Sequence, residues 1–232
     1  MPLTIDRIVE KYRTMGSEAT LATNLRRQGL SATTIKKTIE DRRALVGTAN
    51  EQQEKVNRFR ADLMLKSRAE QIKSYLWLFS SFDRSIALWE ATVDESADIF
   101  WPVFLENWCI CDGLWPMRQI MRSTLRCRVA ELSPIGFLSP ADRDFYDALP
   151  DRMTVLRGCS RRRVRGLPWT TDRERAEFFA RGGRLGRQPD PVIACAEIAK
   201  ADIFFVSTGR DESEVVLDPY SIKRLRLESA VI

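Results

Sequence analysis

The side chains best suited to chemistry lie in the last third of this chain. Arg157 ends an apolar run, Thr170 and Thr171 are neighbours, and Glu212 and Glu214 stand two residues apart. A guanidinium is a rigid, permanently charged fork that matches phosphate oxygens. A carboxylate stabilises the cation that develops when a glycosidic bond breaks. The set therefore favours glycosidic-bond cleavage on a substrate that carries phosphate.

The 232 residues include no histidine, which narrows the classes of site. Nucleophilic catalysis by a Ser–His or Cys–His pair is excluded, and a zinc site is disfavoured because imidazole is a common zinc ligand. The five cysteines are scattered without a CxxC pair, as is typical of reduced thiols in the cytoplasm. We expect no metal site, and a protein that is cytoplasmic.

Composition and charge favour a soluble protein with an anionic partner. Hydrophobic residues make up 44% of the chain and charged residues 30%. No run of eighteen apolar residues and no basic-then-apolar leader is present, so we expect no membrane segment and no signal peptide. The net charge is +5, and residues 151–232 hold 16 Lys and Arg against 12 Asp and Glu. This basic excess lies with the candidate site and would attract an anionic cofactor or nucleic acid.

Residues 1–132 predict a helical, Trp-rich domain. Apolar side chains recur at helical spacing, and glycine and proline are sparse before residue 100. Helices are predicted over residues 5–12, 31–45, 51–78, 85–91 and 103–111. Trp101, Trp108 and Trp115 stand seven apart, which favours a Trp-rich helical core over a partner-binding surface.

Residues 133–232 predict a second domain in which short strands surround one clear helix. Strands are predicted over residues 154–156, 192–198, 203–206, 214–217 and 222–227. A turn at residues 166–171 opens the helix, which begins with a capping box from Thr171 to Glu174. A short helix from Pro140 toward Leu149 joins the two parts. The expected fold class is therefore α+β, a helical region followed by a compact mixed β-sheet domain.

The order of three motifs in residues 145–230 resembles the ADP-ribosyltransferases of the Arg-Ser-Glu type, a group that includes many bacterial toxins and phage-encoded modifiers. Leu-Arg-Gly at 156–158 matches the first motif, and Glu-Ser-Glu at 212–214 matches the third. Ala-Glu-Phe-Phe-Ala at 176–180 matches the helix that follows the second. The absence of histidine argues against the His-Tyr-Glu branch of this superfamily. The resemblance implies a mono-ADP-ribosyltransferase fold and transfer from NAD to a macromolecular acceptor. Its toxin and effector members also make delivery into a host-cell cytoplasm an alternative to residence in the cytoplasm.

The resemblance also assigns roles to particular residues. Arg157 and Gly158 would anchor the NAD cofactor, and Glu214 would stabilise the ribosyl cation. Glu212 would orient or deprotonate the acceptor, and residues 206–211 would meet the target. Because the Glu-X-Glu form goes with arginine acceptors, arginine on a protein is the expected acceptor.

The second motif departs from the family pattern at Pro168, which occupies the position of its first serine. The hydroxyl that normally helps to orient the catalytic glutamate or the nicotinamide ribose is therefore missing there. Thr170 matches the last motif position and is expected in catalysis and cofactor binding, with Thr171 beside it. In the glycine-rich loop after the helix, Arg181 and Arg184 are the expected contacts to the cofactor.

Two other functions remain open from the sequence. Residues 161–165 contain four arginines in a predicted loop, which suits a nucleic-acid-binding protein, or a transferase that acts on nucleic acid. Alternatively, the chain is a catalytically inactive interaction protein that keeps the transferase fold. Pro168 and the Trp-rich helical half favour that second alternative.

Overall fold

The computed structural model describes residues 2–15, 18–27, 29–45, 49–183, 186 and 188–230. Within these ranges the chain forms ten α-helices and one six-stranded sheet, so the expected α+β class is confirmed. The helices are α1 Ile5–Met15, α2 Glu18–Arg27, α3 Ala32–Leu45, α4 Ala49–Met64, α5 Arg68–Leu76, α6 Arg84–Thr92, α7 Ala97–Trp108, α8 Leu114–Glu131, α9 Pro140–Ala148 and α10 Arg173–Ala180. The strands are β1 Arg152–Ser160, β2 Pro168–Thr170, β3 Pro191–Ala199, β4 Ile203–Ser207, β5 Glu214–Leu217 and β6 Leu225–Ser229. Across the described ranges, no helix has the length and apolar character needed to span a bilayer.

The single long helix predicted over residues 51–78 is wrong, because the chain breaks between α4 and α5. Helix α4 ends at Met64, and Ser67 caps the start of α5. Its hydroxyl accepts from the backbone N–H of Glu70, and the Glu70 carboxylate accepts from the backbone N–H of Ser67 at 2.8 Å. This reciprocal capping box satisfies two N–H groups that a new helix start leaves without partners.

The sheet has the strand order β4-β5-β2-β1-β3-β6, and every described strand pair is antiparallel. The expectation of a mixed sheet is therefore wrong. Residues 166–171, predicted as a turn, contain the short strand β2 between β1 and β5. The helix cap is also displaced by one residue, since Asp172 rather than Thr171 accepts from the first backbone N–H groups of α10.

Helix α10 lies directly on β1 at a glycine. A Cβ atom on Gly158 would lie 1.7 Å from the carbonyl oxygen of Ala176 and 2.5 Å from the backbone nitrogen of Ala180. Its missing side chain makes room for the backbone of α10, and this contact fixes the helix beside the strand that carries Arg157.

The helical region and the sheet share one hydrophobic core. Phe205 of β4 is fully buried against three aromatic side chains of α7. Its ring centre lies 6.5 Å from Trp101, 6.1 Å from Phe104 and 5.2 Å from Trp108. Trp101 and Trp108 therefore belong to a buried helical core, as the sequence indicated, while Trp115 lies on α8. The end of α7 is held against the sheet by this packing.

Candidate active site

The three sequence motifs come together because β1, β2 and β5 are neighbours in the sheet. Leu156 pairs with Thr170, and Thr170 pairs with Glu214. A cavity of about 200 Å³ opens beside these strands. Five of the expected site residues line it: Arg157, Gly158, Thr170, Glu212 and Glu214. Arginine, hydroxyl and carboxylates therefore meet in one cleft.

Glu214 is a buried carboxylate with an indole partner. Glu214 is the first residue of β5, and it is 8% exposed. Nε1 of Trp108 donates to its Oε1 atom at 2.6 Å. Burial raises the pKa of Glu214 to about 7, and the neighbouring Glu212 adds to the rise. The bond from Trp108 and the positive charges of Arg157 and Arg210 act in the opposite direction. The carboxylate is thus poised to change its charge near neutral pH.

Glu212 reaches the cavity by a different route from the one expected. The sequence suggested that Glu212 and Glu214 share a face of an extended strand, but β5 begins only at Glu214. Glu212 has helical backbone angles (φ −93°, ψ −8°), and Ser213 has a positive φ of 43°. The expectation that Glu212 and Glu214 share one face of a strand is therefore wrong. A tight turn, and not the period of a strand, brings both carboxylates to the cavity.

Arg157 lines the cavity from the middle of β1. Alternation along β1 gives Arg157 the face opposite to Leu156, and so opposite to Glu214. The guanidinium is held against β2, because its Nη1 donates to the carbonyl oxygen of Pro168 at 2.5 Å. Arg157 and Glu214 nevertheless line the same cavity.

Two further features fix the Arg157 guanidinium. Its Nε atom donates to the carbonyl oxygen of Arg163 at 3.2 Å, which ties it to the β1–β2 connection. A Cβ atom on Gly166 would lie 2.3 Å from its Nη2 atom, so this glycine leaves the space that the guanidinium fills. Burial lowers the pKa of Arg157 from its ordinary value, while the carboxylate of Glu214 raises it. The arginine is a fixed cation at the cavity wall.

The two threonines hold the backbone of the site. The Thr170 hydroxyl donates to the carbonyl oxygen of Glu212 at 2.9 Å and accepts from the backbone N–H of Asp172 at 3.1 Å. It therefore joins the Glu212 turn to the start of α10. Thr171 is not part of the cavity lining, and its backbone N–H donates to Ser213 at 3.4 Å. Among the described contacts, neither hydroxyl bonds to the carboxylate of Glu214.

The glycine-rich loop after α10 is described only in part. Arg181 is exposed, lies outside the cavity lining and forms a 3.9 Å ion pair with Glu177. Gly182 lines the cavity, and its φ of 116° requires a glycine. Arg184, the second arginine expected to contact the cofactor, lies outside the described residues.

The helical region supplies a wall of the cavity that the sequence did not predict. Trp108, Asp112 and Trp115 all line it. Asp112 also pairs with Nη1 of Arg210 at 3.2 Å, which fastens the β4–β5 loop to the α7–α8 connection. Beside this pair, a Cβ atom on Gly209 would lie 2.9 Å from the Cβ of Cys109. The loop expected to meet the target is therefore docked on the helical region.

The signal for these helical residues was only partly present in the sequence. The regular tryptophan spacing was visible, but it indicated a core and not a cavity wall. Pairs such as Asp112 with Arg210, 98 residues apart, leave no local pattern.

Comparison with known proteins leaves the site itself as the guide to function. No protein-family model, curated protein or solved structure matches this chain. The described residues contain no group of three or more His, Cys, Asp or Glu side chains placed to hold a metal ion. The residues that line the cavity therefore provide the main indication of function.

Proposed function

We propose that this protein is a mono-ADP-ribosyltransferase that uses NAD to modify a macromolecular acceptor. The observation that carries the proposal is the meeting of a buried carboxylate, Glu214, and a fixed guanidinium, Arg157, in one cavity. Arg157 lies on β1 and Glu214 on β5, the two strands that flank β2, and the turn that holds Glu212 lies beside them. This constellation provides a cation for phosphate and an anion for a developing ribosyl cation.

The proposed reaction breaks the bond between C1′ of the ribose and N1 of nicotinamide. The bonding electron pair leaves with nicotinamide, which becomes neutral, and positive charge develops on the ribose. Ionised Glu214 stabilises that charge and accepts a hydrogen bond from the 2′-hydroxyl. The acceptor then forms the new bond at C1′ and loses its proton to Glu212. The buried position of Glu214 strengthens its interaction with the cation, because water does not screen it.

The cavity fits one end of NAD. Its volume of about 200 Å³ is below the ~300–1,000 Å³ of pockets that enclose a whole drug-sized ligand. We therefore assign it to the nicotinamide and its ribose. Arg157, Arg163 and Arg210 line the same cavity and provide positive charge for the pyrophosphate.

The acceptor is proposed to be an arginine side chain on a protein. A guanidinium must lose a proton to become a nucleophile, and Glu212 lines the cavity two residues before Glu214, where it would receive that proton. Nucleic acid is the second candidate, because Arg162 and Arg163 are exposed and Arg163 also lines the cavity. An arginine analogue, a cell lysate, DNA and RNA are therefore compared as acceptors.

The test is release of nicotinamide from labelled NAD by the wild type and by Glu214→Gln. Glu197→Gln is the matched control, since Glu197 is an exposed glutamate on β3 of the same sheet. We expect turnover by the wild type and the control, and a loss of several hundredfold with Glu214→Gln. Label appears on the arginine analogue if the acceptor assignment is right. Equal turnover by all three proteins, or none by the wild type with any acceptor, would reject the proposal.

A further inference from the structure

The carboxylate of Glu214 is held by a donor from outside the sheet. Trp108 is the last residue of α7, only 1% exposed, and its Nε1 atom donates to Oε1 of Glu214 at 2.6 Å. The indole is itself fixed by Phe205, whose ring stands perpendicular to it at 5.2 Å. Packing of the core thus sets the direction of this N–H before any substrate binds.

Among the described contacts, no side chain of β2 donates a hydrogen bond to the carboxylate of Glu214. Pro168 has no donor, and it lies opposite Val216 and not opposite Glu214. Thr170 does lie opposite Glu214, but its hydroxyl donates to the carbonyl oxygen of Glu212. A buried carboxylate without a donor is costly to ionise. The indole N–H of Trp108 supplies the hydrogen bond to the Glu214 carboxylate that the side chains of β2 do not supply.

We propose that Trp108 is a positioning residue of the transferase, which orients the catalytic carboxylate of Glu214 from the helical region; this inference rests on the proposed function. In the described part of the chain, Trp108 is the hydrogen-bond donor to this carboxylate. Its bond to Oε1 leaves Oε2 for the 2′-hydroxyl of the ribose. Helix α7 then belongs to the catalytic site as well as to the core.

The charged groups around Glu214 determine how its titration responds. They are Glu212 in the preceding turn, Arg157 on β1 and Arg210 in the β4–β5 loop. The Cys109 thiol also lies nearby, and burial raises its pKa, so it stays uncharged at neutral pH. None of these groups is altered by replacing the indole with a phenyl ring. Because the Trp108 bond favours the ionised carboxylate, its loss moves the titration of Glu214 to higher pH.

The kinetic test compares Trp108→Phe with Trp101→Phe. Trp101 is a matched control, because it lies on the same helix, is fully buried, packs on Phe205 and donates its Nε1 to the Leu132 carbonyl oxygen at 3.0 Å. For Trp108→Phe we expect kcat at pH 7 to fall about tenfold and the acidic limb of its pH profile to rise by about one unit. The KM for NAD changes less than about twofold. Trp101→Phe keeps the wild-type profile. A wild-type profile in Trp108→Phe, or an equal shift in both variants, would overturn the proposal.

A second measurement needs no tryptophan variant and no turnover. The six tryptophan indoles are labelled with ¹⁵N and followed by NMR from pH 5 to 9 in the wild type and in Glu214→Gln. We expect one indole signal to titrate near neutral pH in the wild type and to be insensitive to pH in the variant. Absence of this titration in the wild type would overturn the proposal. A clear titration in a wild type that never cleaves NAD would instead reject the proposed function, and the catalytic role of Trp108 with it, while leaving the hydrogen bond established.

Discussion

Trp108 and Glu214 are 106 residues apart in sequence, yet their side chains share a buried hydrogen bond of 2.6 Å. One ends a helix of the core, and the other begins the strand that carries the candidate catalytic carboxylate. The position of the carboxylate thus depends on how the helical region packs against the sheet.

The first prediction concerns the pH dependence of turnover. In the proposed reaction Glu214 must be ionised to stabilise the ribosyl cation, and burial raises its pKa to about 7. We therefore expect kcat for nicotinamide release to rise with pH and to reach half its maximum near pH 7. Rates measured between pH 5 and 9 check this. A rate that is constant over this range, or that falls as pH rises, would contradict the assignment.

The second prediction concerns stability. The pKa of Glu214 is about 7 in the folded protein, whereas an unperturbed Glu titrates near ~4.3. Between these values the folded state binds the proton more tightly than the unfolded state, so stability of the wild type falls as pH rises. Glu214→Gln removes this titration. The quantity to compare is the free energy of unfolding of the variant minus that of the wild type. We expect this difference to be about 3 kcal/mol larger at pH 8 than at pH 4.

Urea unfolding at the two pH values measures this difference. Glu197→Gln, on an exposed position of β3, serves as the control and should show no comparable dependence. If the Glu214→Gln and wild-type curves keep the same separation at pH 4 and pH 8, Glu214 does not titrate as described.

The third prediction concerns the contact between β1 and α10. In Gly158→Ala the new methyl group would collide with backbone atoms of Ala176 and Ala180, which cannot move aside as a flexible side chain does. We expect a loss of about 3 kcal/mol in the free energy of unfolding. Gly136→Ala is the control, because a Cβ there meets nothing within 4 Å. Comparable stability of the two variants in urea would show that α10 does not lie this close to β1.

The fourth prediction separates substrate binding from stability. In Gly166→Ala the new methyl group would lie 2.3 Å from Nη2 of Arg157, so the guanidinium must move. Moving it weakens its hydrogen bonds to the carbonyl oxygens of Pro168 and Arg163, so we expect a stability loss of about 1–2 kcal/mol. The proposed contact of Arg157 with the pyrophosphate would weaken, so the KM for NAD should rise about tenfold while kcat changes little.

A double variant sharpens this fourth prediction. Arg157→Lys removes the guanidinium fork that Gly166→Ala displaces, so the two changes act on one interaction. Their combined effect on KM should be clearly smaller than the product of the single effects. Independent, multiplicative effects would mean that Gly166 acts on some other part of the site.

The strands of the sheet were largely predictable because their signal is local. Short β-rich runs with turn residues between them placed β3, β4 and β5 within one or two residues of their observed ends. The break between α4 and α5 was also encoded locally, as Ser67 followed three residues later by Glu70. The helical spacing of apolar and polar residues continues from α4 into α5, so the pattern did not reveal the break.

The site was predictable in its residues but not in its geometry. The motif order brought Arg157 and Glu214 into one cavity, as expected from the sequence. The positive φ of Ser213 follows from no residue preference, since a serine rarely adopts it. Trp108 and Asp112 belong to the cavity only because α7 packs against β4, and such long-range packing has no sequence period.

The burial of Phe205 against α7 also has a consequence for synthesis of the chain. Helix α7 lies about a hundred residues ahead of β4, so it leaves the ribosome first and is present when Phe205 emerges. The face of the sheet that carries Phe205 of β4 and Val216 of β5 can then pack against apolar side chains of α7 as soon as it forms. Because Trp108 and Glu214 meet only after both segments have been made, a truncated nascent chain holds no assembled site. The proposed activity would therefore appear only after synthesis has passed Glu214.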